Sequence, residues 1–255
     1  MSAPSVYPGI HTPARTRVDL MDELTRLYSA ESMGIPGSRR FRLLRKRYAW
    51  SAVVWGAGAL KRFVDILVSL VMLCMLSPLF FAVALMIKVT DRGPILFWQK
   101  RVGKWGQEFP FPKFRSMVAN AEQLKDALLQ QNQHEDQKTF KMKSDPRVTW
   151  IGRLIRRLSI DELPQLWCVL KGDMSVVGPR PPVPREVALY TLSDRRRLDV
   201  TPGLTCIWQV SGRGDIPFPQ QVELDVQYIQ SRSLLADLRI LLMTVPAVLL
   251  GKGAY

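Results

Sequence analysis

The chain reads as a mainly α protein with one short β-hairpin (α+β). It is expected to be a monotopic membrane protein, in which a re-entrant helix-break-helix anchor carries a cytoplasmic globular domain. Three observations predict this. A long apolar segment is broken at Ser77-Pro78, an aromatic and β-branched stretch contains two glycines, and a series of short helix-favouring runs follows.

Residues 1–48 read as a flexible basic extension. Their first part, 1–38, scatters Pro, Gly, Ser and charges, with one short helix expected around Val18–Tyr28. No cleavable signal peptide is expected there, because the first 30 residues are polar and mixed in charge. Six bases follow (Arg39, Arg40, Arg42, Arg45, Lys46 and Arg47).

Residues 49–92 form the expected membrane segment. Trp50–Leu60 carries two tryptophans, which favour the water–lipid boundary, so an interfacial element and an ordinary packed helix both fit. Phe63–Val89 exceeds the roughly 20 apolar residues that a spanning helix needs. Pro78 lacks an N–H, clashes with the preceding turn and disfavours helix at Ser77. Bases flank both ends: Arg39 to Arg62 before, and Arg92, Lys100, Arg101 and Lys104 after. Cationic flanks favour the cytoplasmic side, so both ends belong on one face. A segment that bends at Ser77-Pro78 and returns meets that condition. A proline-kinked spanning helix is the rival reading. A buried helix in a soluble core fits least, because the segment is apolar on every face.

Residues 93–255 read as the globular catalytic part. Ile95–Phe114, with Gly103 and Gly106, predicts a short hairpin. Ala119–Gln137 is polar and helix-favouring. Val148–Leu158 and Leu163–Leu170 predict short helices, and Glu186–Arg197 and Pro219–Arg232 longer ones. Leu234–Leu250 is apolar but contains Asp237, Arg239 and Pro246. It fits a helix lying on or against a membrane, and packing into a core is an equal alternative.

The charge balance is basic, 36 Lys+Arg against 22 Asp+Glu for a net +14, so polyanions are the expected partners. The basic cluster before the apolar segment favours a membrane surface and argues against nucleic acid. Cys74, Cys168 and Cys206 are far apart, form no C-x-x-C pair and read as buried small hydrophobes. Only His11 and His134 are present, which disfavours a His-based triad or a His-rich metal site. Neither G-x-x-x-x-G-K-[ST] nor G-x-G-x-x-G occurs, so P-loop and dinucleotide sites lack support.

The chemistry concentrates in residues 156–181. Asp161 and Glu162 follow Arg156 and Arg157 and precede Arg180. Carboxylates among guanidiniums suit reactions of phosphates, because one group attacks or takes a proton while the others hold the anion. Ser159-Ile160-Asp161-Glu162 also has the S-x-x-E pattern of a capping box. A cap contributes about 0.5–2 kcal/mol and explains Ser159 and Glu162 structurally. A helix start also binds phosphate and keeps a carboxylate ionised, and it tolerates Pro164. Both roles are therefore expected of this turn.

Other basic turns fit the same purpose. Lys113 and Arg115, two residues apart, are expected on one side of an extended strand. Gly178-Pro179-Arg180-Pro181-Pro182 holds its arginine in a rigid turn, which lowers the entropy cost of gripping an anion. Asp145-Pro146-Arg147-Val148-Thr149 and Val210-Ser211-Gly212-Arg213-Gly214 are further polar turns with one arginine each.

From Lys61 to Tyr255 the chain resembles the bacterial sugar transferases, the monotopic polyprenyl-phosphate phosphoglycosyltransferases. The resemblance rests on K-R-x-x-D (Lys61–Asp65), Ser77-Pro78, K-F-R-S-M, D-P-R-V-T, D-E-L-P-Q, K-G-D-M-S, G-P-R-P, P-G-L-T (Pro202–Thr205) and the S-G-R turn. It implies transfer of a sugar 1-phosphate from a UDP-sugar to undecaprenyl phosphate, with Mg2+ as cofactor, at the cytoplasmic face of the bacterial inner membrane. It implies Asp161 as nucleophile and Mg2+ ligand, Glu162 as its partner in activating the acceptor, and Arg156 and Arg180 as grips for the donor. Lys113, Arg115 and Arg213 are implied only as substrate-binding. The alternative is a non-enzymatic peripheral protein whose basic face binds anionic lipid or a partner.

Overall fold

The computed structural model describes residues 37–118, 120, 121, 124 and 145–250. The expected helix Val18–Tyr28 and nearly all of Ala119–Gln137 lie outside the described residues. The chain divides into two compact units, Met1–Lys61 and Arg62–Tyr255. In the first, the described residues are helical and include the six-base cluster.

Helix α1 runs from Gly37 to Met75 and helix α2 from Ser77 to Asp91. They part at the predicted break, where Pro78 occupies the first turn of α2 and its missing N–H costs nothing. The Ser77 hydroxyl donates to the Cys74 carbonyl at 2.9 Å, satisfying one group that the break frees. No single described helix is long and apolar enough to cross a membrane. The bent pair Trp55–Met75 and Ser77–Thr90, at 59°, passes that test together. One side of the pair is packed, with Asp65, Ser69, Val83 and Ile87 buried, while Phe63, Leu70, Met75, Phe81 and Val89 are exposed. Cys74 also lies exposed, contrary to the expected burial, because it belongs to this outer side; all three cysteines are free.

The K-R-x-x-D motif has a structural explanation in the second unit. Arg62 donates to the carbonyls of Val169 and Leu170. Asp65 accepts from Ser175 Oγ (3.1 Å) and Val176 N (3.0 Å), both buried. This stretch of α1 is thereby fastened to the strand and helix end that border the cavity described below.

The predicted hairpin forms as β1 (Leu96–Val102) antiparallel to β2 (Glu108–Phe114). The connection contains Gly106 at φ +83°, a left-handed conformation that glycine adopts without steric cost. Phe114 packs with Val83, Ile87, Ile151 and Ile155 on one side, and Phe109 and Phe111 enter the main core with Val169, Met174, Val177, Tyr228 and Ile240.

The remaining elements are short. Helix α3 is Trp150–Arg157, α4 is Leu166–Lys171 and α5 is Pro184–Ala188. Strands β3 (Ser175–Val177) and β4 (Gly203–Thr205) pair in parallel and were not expected, being too short to show a period. Their pairing brings Gly178 against Gly203. A Cβ on Gly203 would stand 2.0 Å from Gly178 N, so this crossing needs two residues without side chains. Helices α6 (Ile207–Ser211), α7 (Phe218–Ser231) and α8 (Leu234–Leu250) complete the chain.

The helix expected over Glu186–Arg197 is split between α5 and a 3-10 turn at Asp194–Asp199. Thr191 N donates to Asp194 Oδ2 (2.9 Å) and Asp194 N to Thr191 Oγ1 (3.3 Å). This reciprocal pair offers the backbone an alternative to the helix, which interrupts it. Helix α8 is packed on one side and exposed on the other. Ile240 and Asp237 are buried, with Asp237 Oδ1 2.8 Å from the Tyr228 hydroxyl, while Leu235, Leu238, Leu242 and Val245 are exposed.

Candidate active site

The acid pair is placed by the way α3 ends. Thr149 caps the helix start by accepting from Gly152 N at 3.0 Å. At the other end Ser159 takes the left-handed conformation, φ +54°, and its N–H closes on the Arg156 carbonyl. Such a residue terminates a helix and turns the chain aside. The chain then enters a 3-10 turn over Ile160–Gln165, which α4 continues. The expected capping box is therefore absent. Ser159 makes no side-chain cap, and the Glu162 carboxylate points to cations across the site. Attraction between full charges outcompetes one bond to a neutral N–H.

Glu162 Oε1 lies 2.9 Å from Lys113 Nζ at the end of β2. Arg180 grips both oxygens of the same carboxylate, with Nη1 3.1 Å from Oε2. Burial alone would raise the Glu162 pKa. Arg180 and Lys113 outweigh it and hold the carboxyl well below the usual range. Lys113 is lowered, by burial first and against the pull of Glu162. The Asp161 side chain accepts no hydrogen bond from a described residue. Burial pushes its pKa up to about 6, with Lys113 opposing the rise and Glu162 adding to it. One acid is thus locked ionised between cations, and its neighbour is desolvated and open.

Both acids line a cavity of about 920 Å³. Of the residues singled out from sequence, Arg156, Arg180, Lys113 and Arg213 line it with them. Arg213 sits at φ +52°, a second left-handed residue on the rim, and burial lowers its pKa. Arg115 is not brought in. Strand β2 stops at Phe114, so the alternation that would align Arg115 with Lys113 ends there, and its guanidinium lies against Gly93. Arg147 is held in its own turn by both oxygens of Asp145 (2.9 and 2.7 Å).

Sequence reasoning missed two arginines that line the same cavity. Arg101, on β1, donates to the Pro181 carbonyl at 2.9 Å. Arg197 is buried, with Nε 2.7 Å from Asp225 Oδ2 and Nη1 3.1 Å from the Tyr190 hydroxyl. Burial pushes Asp225 up to about 6 despite this arginine. Part of the lining is apolar: Val68 and Met72 of α1, and Leu241, Leu242, Val245 and Val248 of α8. A cavity lined in part by charged and in part by apolar side chains suits a ligand with a phosphate head and a hydrocarbon body.

No group of three or more His, Cys, Asp or Glu converges among the described residues. An all-protein metal cage is therefore lacking there. One open carboxylate with ligand phosphates beside it fits how Mg2+ is usually held, through one or two carboxylates, substrate oxygens and water.

An open carboxylate, a locked one and several guanidiniums around one cavity suit chemistry on phosphates. The chain belongs to the bacterial sugar transferase family, whose profile matches residues 56–251. It is 43% identical over 201 residues to the exopolysaccharide production protein ExoY of Sinorhizobium fredii, covering 78% of this chain and 89% of that one. It is 47% identical over 197 residues to the galactosyl transferase CpsE of Streptococcus agalactiae, covering 76% of this chain and 43% of that one. The undecaprenyl-phosphate galactose phosphotransferase of Salmonella typhimurium is 46% identical over 200 residues, 77% of this chain and 42% of that one. The protein is therefore an enzyme, a phosphoglycosyltransferase, and the non-enzymatic alternative falls.

Proposed function

We propose that this protein transfers a sugar 1-phosphate from a UDP-sugar to undecaprenyl phosphate through a covalent phosphosugar on Asp161. The reaction would open an exopolysaccharide or related glycan assembly, at the cytoplasmic face of the bacterial inner membrane. The observation that carries the reading is the contrast within the acid pair. Asp161 is open, desolvated and without a hydrogen bond from the described residues, while Glu162 is clamped by Lys113 and Arg180. The undecaprenyl-phosphate acceptor is argued from the Salmonella relative's name and from the apolar part of the lining.

In the first step an Asp161 oxygen attacks the sugar-bearing phosphorus, and the bond from that phosphorus to the bridging oxygen breaks. UMP leaves with the bonding electrons. In the second step an oxygen of the acceptor phosphate attacks the same phosphorus and the Asp161 bond breaks, restoring the carboxylate. One diphosphate linkage is exchanged for another, so no further energy source is required. Asp161 would hold Mg2+, which when bound would supply Lewis-acid stabilisation of the developing charge. Arg156, Arg180 and Lys113 neutralise the non-bridging oxygens, and Arg213 closes the rim. Substrate phosphates compete with Glu162 for Lys113 and Arg180. As those cations turn to the phosphates, Glu162 loses what holds its proton affinity down and becomes able to take a proton from the acceptor.

The bent pair Trp55–Met75 and Ser77–Thr90 would act as a re-entrant anchor, setting the cavity at the height of the lipid phosphates. Incubation with undecaprenyl phosphate, Mg2+ and a panel of UDP-sugars tests the whole reading. UMP release with at least one sugar supports it, and none with any sugar from folded protein refutes it. Membranes washed at high salt test the anchor, since an inserted segment stays until detergent is added and an electrostatic binder leaves.

A further inference from the structure

The cations closest to Glu162 are already committed. Lys113 and Arg180 both bind its carboxylate, and the buried Arg197 binds Asp225. Arg101 differs. It lines the cavity, yet it forms no ion pair with a described residue. Its Nη1 donates to the Pro181 carbonyl, and the rest of its planar fork donates no hydrogen bond to the described residues. Its Nε is buried and unpartnered. Its guanidinium stands over the Phe111 ring, 5.1 Å from the centroid, and Val102 N donates to the Pro182 carbonyl at 2.9 Å. These contacts fix the group firmly beside the turn that carries Arg180. Glu186 and Glu162 act on this half-buried group without bonding to it, so its fork keeps donors for an anion in the cavity.

The order of groups across the site gives that anion a place. Asp161 adjoins Glu162, Glu162 is gripped by Arg180, and Arg101 is tied to Pro181, the residue after Arg180. Arg101 and Lys113 also stand over the same Phe111 ring, 5.1 and 5.4 Å from its centroid. Arg101 therefore extends the cation cluster around Glu162 at the turn that carries Arg180. A diphosphate laid across the site with its sugar-bearing phosphorus at Asp161 directs its second phosphate past Arg180.

We infer that Arg101 is a donor-binding residue that holds the nucleotide-side phosphate, the one that departs as UMP. The inference rests on the reading of a UDP-sugar donor given above. Its fork offers directed donors to phosphate oxygens, and charge on the leaving phosphate grows as the bridging bond breaks.

The test compares binding of UMP and of uridine to the full chain by calorimetry at one fixed salt concentration. Wild-type protein is expected to bind UMP more tightly than uridine. Arg101→Met is expected to weaken UMP by about tenfold or more while leaving uridine unchanged, the loss of charge-assisted bonds to one phosphate. Arg101→Lys is expected to recover part of that affinity, since it keeps the charge and loses the fork. Wild-type UMP affinity in Arg101→Met would overturn the assignment. So would an equal loss for UMP and uridine, which marks a residue that only props the Pro181 turn. Failure of the wild-type protein to bind UMP would remove the donor reading and this inference together, whereas the first two outcomes leave the donor reading standing.

Discussion

Lys113 Nζ and Glu162 Oε1 lie 2.9 Å apart, joining a strand end to a 3-10 turn that is 49 residues away in sequence. With Arg180 on the same carboxylate, this contact decides which acid of the pair is held ionised and which is left open. Most of what the site is expected to do follows from that asymmetry.

Replacing Glu162 by Gln removes the only carboxylate among the described residues that is bonded to Lys113 and Arg180. The two cations then face each other across a partly buried cavity without their counter-ion. The variant is expected to lose about 1–3 kcal/mol at neutral pH, read from the denaturant midpoint. The folded-state pKa of Glu162 is depressed, so its contribution is present above the ordinary glutamate value and disappears as pH falls. The gap between variant and wild type should therefore close on acidification, and a constant gap from pH 7 to pH 3 would contradict the clamp.

Asp161→Asn is expected to abolish turnover and yet to stabilise the fold. The Asp161 pKa is raised from 3.8 to about 6, so the folded state binds its proton more tightly than the unfolded chain. Ionised Asp161 consequently costs stability above pH 6, and the cost vanishes below about pH 4. At pH 7.5 the variant should gain on the order of 1–3 kcal/mol in thermal or denaturant unfolding. No gain, or one that grows in acid, would contradict the assigned burial.

The same raised value governs the first chemical step. Only ionised Asp161 attacks phosphorus, so UMP release in a single turnover without acceptor should fall tenfold per pH unit below about 6. A rate independent of pH between 5 and 7.5 would separate the nucleophile from this carboxyl.

Asp65→Ala tests the fastening of α1. It strands the buried Val176 N–H and Ser175 hydroxyl, whose loss of an acceptor costs about 1–3 kcal/mol. Asp65→Asn keeps an acceptor oxygen and should lose less. Melting temperatures of the two variants measure the difference, and equal losses would show that the hydrogen bonds are not what Asp65 contributes.

How far the sequence foretold the molecule varies with the range of the forces involved. The break at Ser77-Pro78 and the hairpin were legible because proline geometry and strand alternation act within a few residues. Asp161, Glu162, Lys113, Arg156, Arg180 and Arg213 were legible as motif residues, and the fold brings all six to one cavity. Ser159 was misread because S-x-x-E is the same in a capping box and in a helix terminator. What distinguishes them is the pair of distant cations that draw Glu162 away. Arg115 was misplaced because the end of β2 is set by tertiary packing. Arg101 and Arg197 were illegible as site residues, since each stands in a run of charges that resembles a solvated surface. Only β1 meeting the Pro181 turn, and α7 presenting Asp225, give them their positions.

A phosphosugar carried on Asp161 would be seen by mass spectrometry of the intact protein, quenched during reaction with a UDP-sugar and no acceptor. A mass increase equal to one phosphosugar is expected in the wild-type protein, absent in Asp161→Asn and discharged when undecaprenyl phosphate is added. Accumulation of product with no such increase at any time would contradict this intermediate.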